Sequence, residues 1–103
     1  MRIKKSPARK YLEKSNDGPI TFGQLISSLR KSDEISQVEL AERLKISKAH
    51  LCDIEKGRRT VSIERAIEFA EVMGYNSISF ATRVFEDQAR SAGLKVRIHL
   101  ESA

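Results

Sequence analysis

Gln37–Lys56 reads Gln-Val-Glu-Leu-Ala-Glu-Arg-Leu-Lys-Ile-Ser-Lys-Ala-His-Leu-Cys-Asp-Ile-Glu-Lys, and these residues decide the fold. Two helix starts are legible in or beside the stretch. Ser36 with Glu39 three positions on has the spacing of a capping box, and Ile35 with Leu40 that of a hydrophobic staple. Ser47 is the expected cap of the next helix, with Ile46 and Leu51 in the same staple relationship. Only Lys45–Ile46 separates the two helices, which leaves room for a tight turn and nothing longer.

Val38, Leu40, Ala41, Leu44, Ile46, Leu51 and Ile54 are the apolar positions of the pair. Ala41 is small where the second helix would cross closely, while Leu44, Ile46, Leu51 and Ile54 are large enough to grip a third element. That arrangement leaves Lys48, Ala49, His50, Cys52 and Asp53 facing outward or sideways. A short helix held at an angle, with a projecting N-terminal end flanked by cations, suits the major groove of DNA.

The stretch resembles the helix-turn-helix of Cro/CI-type (Xre) transcriptional regulators. The matching residues are Ser36-Gln37, Glu39-Leu40-Ala41, the turn Ile46-Ser47, and Leu51 to Gly57, followed by Arg58 and Arg59. With flanking helices counted, the resemblance runs from about Thr21 to Gly74. The family usually has Gly at the start of the turn, where this chain has Lys45. A side chain in the left-handed conformation costs about 1 kcal/mol there.

The resemblance implies base-reading roles for Lys48, Ala49, His50 and Asp53, with Cys52 at the margin. Chemically, Lys48 suits guanine O6 or N7, Asp53 a cytosine amino group and Ala49 a thymine methyl, while His50 donates or accepts according to its tautomer. The family also places Gln37 against a phosphate, where the N-terminus of its helix helps. Ser47, Lys56, Arg58 and Arg59 are further phosphate candidates. The structural alternative for Asp53 is a salt bridge to Lys56 or Lys48, and for Ser47 a cap alone.

Charge placement agrees with a polyanion partner. The chain of 103 residues has a formal net charge of +5. Residues 1–19 carry six Lys and Arg against two acidic residues, and residues 43–59 again carry six against two, so the rest is net acidic. Basic sites on an acidic body are the footprint of a nucleic-acid binder.

Working outward, residues 1–19 read as a basic flexible arm. Its large apolar residues are Ile3, Tyr11 and Leu12, and Ser-Asn-Asp-Gly-Pro closes it. Three roles stay open for the arm: following a groove or the phosphates, contacting a protein, or nothing specific. Residues 20–93 are the expected helix-turn-helix domain of five helices. The first starts at Thr21, with Gln24 closing a capping box, Ile20 and Leu25 as staple, and Phe22, Leu25, Ile26 and Leu29 inward. It runs out near Lys31–Glu34. The second and third cover Gln37–Leu44 and Lys48–Lys56, with Gly57 as left-handed stop. The fourth follows Ser62 with Ile63, Ala66, Ile67, Ala70 and Met73 on one face, widened by Phe69 and Val72, and ends at Gly74. The fifth spans Ile78 to Ala92, capped by Ser77 or Ser79, with Phe80, Ala81, Val84, Phe85 and Ala89 apolar.

Residues 94–103 change period. Leu94, Val96, Ile98 and Leu100 alternate with Lys95, Arg97 and His99, which is strand spacing. A lone strand needs a partner for its backbone groups. The same strand of a second copy, a strand of another protein, or the arm around Ile3 would serve. Self-pairing is favoured, since helix-turn-helix readers usually span two half-sites as dimers. The expected fold is therefore mostly α: a five-helix Xre-type domain with a basic N-terminal arm and one C-terminal β-strand.

The function expected is a sequence-specific repressor acting as a homodimer on an inverted-repeat operator in double-stranded DNA. The layout also looks like the self-regulating antitoxin of a toxin–antitoxin pair, with a small toxin protein as second partner. The alternative is a stand-alone phage- or plasmid-type regulator. No enzyme is expected, because the chain has no Gly-x-Ser-x-Gly, no oriented Cys/His pair and no phosphate-cradling glycine loop. His50 and Cys52 are two apart on a helix and do not share a face, so neither metal nor cofactor is expected. Nothing approaches the roughly 18 apolar residues of a membrane helix. The basic N-terminus lacks the apolar run of a secretory signal, and Cys52 is the single cysteine. A cytoplasmic, nucleoid-associated protein is expected.

Overall fold

The computed structural model of the chain describes residues 20–94. Five helices occur among them: α1 (Phe22–Ser32), α2 (Gln37–Leu44), α3 (Lys48–Glu55), α4 (Ile63–Met73) and α5 (Ser77–Ser91). The chain divides into two compact units, with the break between Thr60 and Val61. The first holds α1–α3 and the second α4 and α5.

Each helix starts on a side-chain cap that accepts from the backbone N–H three residues on. Thr21, Ser36, Ser47, Ser62 and Asn76 do so for Gln24, Glu39, His50, Arg65 and Ser79 respectively. At Thr21 the box is complete, because the Thr21 N–H donates to Gln24 Oε1 at 2.9 Å. The box expected at Ser36 is half-made. Ser36 Oγ accepts from Glu39 N at 3.0 Å, but the Glu39 carboxylate receives Arg43 NH2 at 2.6 Å instead. A charged partner one turn away competes well with a backbone N–H. The cap of α5 is Asn76, upstream of the expected Ser77 or Ser79. An amide oxygen caps as well as a hydroxyl.

The stops are equally uniform. Each helix is followed by a residue with positive φ: Glu34 (59°), Lys45 (60°), Gly57 (80°), Gly74 (80°) and Gly93 (89°). The Lys45 departure is thus absorbed as a strained left-handed cap (φ 60°, ψ 42°). Glu34 is a second such position that the sequence reading missed. Its turn is held by the Ile35 N–H donating to Arg30 O at 3.0 Å, a Schellman closure.

In the first unit, α1 and α2 each pack on α3. The buried row is Phe22, Leu25, Ile26 and Leu29 from α1, Leu40, Ala41 and Leu44 from α2, and Leu51 and Ile54 from α3. One contact among these was invisible in the sequence. A Cβ placed on Gly23 would stand 2.2 Å from Ile54 O and 2.7 Å from Glu55 O. Only glycine lets α1 approach the last carbonyls of α3 this closely. Val38, expected with the apolar set, is 51% exposed. It sits one position off the 37/40/41/44 row that faces inward.

In the second unit, α4 packs on α5. Ala66, Phe69, Ala70 and Met73 are buried, as are Phe80, Ala81 and Val84. Tyr75 stacks on Phe80 with ring centroids 6.1 Å apart. Val72 and Phe85, expected inward, flank these rows and are exposed. No strand occurs among the described residues. Leu94, the first residue of the expected strand, instead completes the stop of α5, its N–H donating to Ala89 O at 2.9 Å. The rest of that strand, Val96, Ile98 and Leu100, lies outside the described residues, as does the arm at 1–19.

Candidate nucleic-acid interface

The site is built on α3, which buries Leu51, Ile54 and Glu55 and turns the remainder of its surface outward. Lys48 and Ala49 are exposed, and His50, Cys52 and Asp53 are half-buried. All four expected base-reading residues therefore lie on the outward surface of one helix. Ser47 caps that helix through His50 N at 3.0 Å and is itself exposed. Its capping role is thus established without using up its accessibility. Lys56, Arg58 and Arg59 are exposed just beyond the C-terminal end.

What fixes the tilt of α3 is a buried charge network. Glu55, its last residue, accepts from Arg30 of α1 twice, Nε to Oε2 at 2.8 Å and NH2 to Oε1 at 3.2 Å. A third guanidinium nitrogen, Arg30 NH1, donates to Ile35 O at 2.9 Å. Gln37, the first residue of α2, adds Nε2 to Glu55 Oε1 at 2.8 Å. One carboxylate thus ties the end of α1, the start of α2 and the end of α3 together. Bidentate Arg–carboxylate geometry is rigid as well as strong. Gln37 was expected to meet a phosphate. Its amide carries two hydrogens, so the one held by Glu55 leaves the other to donate.

Two more pairs were not foreseen. Asp53 is bonded neither to Lys48 nor to Lys56 but to Arg58, Nε to Oδ1 at 3.1 Å. Arg59 NH1 lies 3.3 Å from His50 Nε2. Both partners sit beyond the helix end, and side-chain spacing along α3 gave no sign of them. The signal that was available is Gly57, which permits the reversal.

A family model described as helix-turn-helix matches residues 26–79, just over half of the 103 residues. The chain belongs to the Cro/CI-type helix-turn-helix family. The matched region begins within α1, takes in α2 and α3 whole, and ends at the start of α5, so the resemblance read from Ser36 to Arg59 is borne out. Within this family the chain is similar to an immunity repressor protein of Bacillus phage phi105. The two are 33% identical over 73 residues, which is 68% of this chain and 51% of that protein. The chain therefore spans about half the length of this relative.

Among the described residues, no group of three or more His, Cys, Asp or Glu side chains is placed to hold a metal ion. Nor is any helix among them long and apolar enough to cross a membrane.

Proposed function

We propose that this chain is a sequence-specific DNA-binding repressor that inserts α3 into the major groove. The observation that carries the reading is the exposure of Lys48 and Ala49 at the leading turn of α3 while Leu51, Ile54 and Glu55 lock its opposite side. Family membership and the likeness to a phage immunity repressor support it. Lys48, Ala49 and His50 face base edges, and Gln37, Ser47, Lys56 and Arg59 meet phosphates. Phosphate contacts supply affinity and register, base contacts supply choice. Arg58, also expected among the phosphate contacts, has the Asp53 carboxylate on one edge of its guanidinium.

A homodimer on an inverted repeat follows from the span that two half-sites demand. The phage relative favours the stand-alone regulator over the antitoxin reading, whose motivating features, the arm and the terminal strand, lie outside the described residues. The test is selection of the full chain against random duplex DNA at moderate ionic strength, followed by the mass of the complex in solution. An enriched inverted repeat bound by two copies is expected. No enrichment over scrambled duplex overturns the repressor reading, and one copy per site overturns the dimer. Co-expression with the product of a neighbouring toxin-sized reading frame separates the antitoxin reading: rescue of growth supports it, and its absence leaves the stand-alone regulator.

A further inference from the structure

The end of α3 is a reversal. Gly57 adopts φ 80°, its N–H donates to Ile54 O at 3.1 Å, and the Arg58 N–H donates to Asp53 O at 2.9 Å. This double closure turns the chain back, so Arg58 and Arg59 return beside the outward surface of α3. They reach Asp53 and His50 there, residues three apart and hence neighbours on a helix. The two arginines therefore rest on two of the side chains that the sequence placed among the base readers.

A guanidinium presents five N–H donors in a planar fork. Asp53 takes the Nε edge of Arg58. Among the described residues no other side chain holds its NH1 and NH2, and the residue is 60% exposed. The free end is a pair of parallel donors, the pattern that guanine O6 and N7 accept in the major groove. A phosphate is a poor occupant of that fork, because its charge would lie close to the Asp53 carboxylate and be repelled by it. A base edge is neutral and meets no such repulsion. Pairing also restrains a long side chain before DNA arrives, which lowers the ordering cost on binding.

We propose that Arg58 reads a guanine through its terminal NH1/NH2 fork, and that Asp53 is the positioning residue that holds it there. The assignment rests on the DNA-binding reading above. It replaces both the phosphate role of Arg58 and the cytosine role of Asp53.

The experiment uses the full chain, the duplex it enriches from a random pool, and the set of single-base-pair variants of that duplex, over a range of salt concentrations. Both side chains are substantially exposed, so Arg58→Ala and Asp53→Ala are expected to fold, which circular dichroism checks. In the unaltered chain, replacing the guanine read by Arg58 should weaken binding about 5- to 150-fold. Arg58→Ala should abolish that discrimination at one G·C pair while leaving the salt slope unchanged. Asp53→Ala should relax choice at the same pair, and the double variant should be no worse than Arg58→Ala alone. A slope reduced by about 0.9 with equal loss on every duplex would make Arg58 a phosphate contact and overturn the proposal. Loss of choice at different base pairs for the two variants would overturn it also. If the unaltered chain enriches no duplex, the repressor reading itself falls, and this proposal with it.

Discussion

Arg30 and Glu55, twenty-five positions apart, meet in a buried two-point ion pair whose side chains are 9% and 5% exposed. Neither is on the surface expected to meet DNA, yet the pair sets where α3 ends relative to α1. Removing one member leaves the other charge buried and uncompensated. Glu55→Leu alone should therefore destabilise the protein by about 3–5 kcal/mol. Arg30→Met with Glu55→Leu should recover much of that loss, though Gln37 Nε2 would still lack Glu55 and Ile35 O would now lose Arg30. Urea unfolding midpoints of the two variants and the unaltered chain check this, and equal stability of Glu55→Leu and the double variant would refute it.

Gly23 yields a second test in which two effects oppose each other. Alanine is the better helix former by about 1 kcal/mol. Its Cβ would nevertheless fall 2.2 Å from Ile54 O, and overpacking of this kind costs about 1–3 kcal/mol or more. The steric term should win because backbone carbonyls at a helix end cannot rotate aside. Gly23→Ala is expected to lower the unfolding midpoint and to weaken DNA binding through displacement of α3. A midpoint equal to or above that of the unaltered chain would count against the close approach.

Lys45 gives a prediction of opposite sign. It holds φ 60° without being glycine, a conformation that strains most side chains by about 1 kcal/mol. Lys45→Gly should raise stability by up to about 1 kcal/mol, less the extra entropy glycine brings to the unfolded chain. Glu34→Gly (φ 59°) should behave alike. Differential scanning of both variants decides the matter, and a fall in the midpoint of either would show that the side chain is compensated by a contact.

The two contact classes on α3 and just beyond its end should separate by salt. Lys56→Ala is expected to weaken binding to all duplexes evenly and to reduce the log–log salt slope by about 0.9. Lys48→Ala should relax choice at one base pair, worth about 1–3 kcal/mol there. Titrations on the enriched and a scrambled duplex measure both. Equal losses on the two duplexes for Lys48→Ala would remove it from the base-reading set.

The solvent-facing Ser47 offers a check on the frame itself. Its hydroxyl caps α3 through His50 N, so Ser47→Ala should cost about 1 kcal/mol and Ser47→Asp little. Denaturant midpoints test this, and a neutral Ser47→Ala would argue that the cap is dispensable.

How much of this was legible in advance follows the range of the interactions. Thr21, Ser36, Ser47 and Ser62 announced four helix starts because a cap bonds only three residues onward. Gly57 and Gly74 announced two stops for the same local reason. The row Leu40, Ala41, Leu44, Leu51, Ile54 was readable from helical spacing, and with it the outward surface of α3. These features need no knowledge of how helices cross.

What only the tertiary structure decided depends on that crossing. Gly23 looks like an ordinary weak point in a helix until Ile54 O is seen against it. Arg30, Gln37 and Glu55 look like three solvated polar residues until α1, α2 and α3 bring them within hydrogen-bond distance. The salt-bridge alternative for Asp53 named Lys56 or Lys48, because nothing along α3 reveals that the chain doubles back to deliver Arg58. Val38, Val72 and Phe85 show the converse, since an apolar side chain is buried only if some surface arrives to cover it. Periodicity states which way a residue points; the meeting of elements far apart in the chain states what it touches.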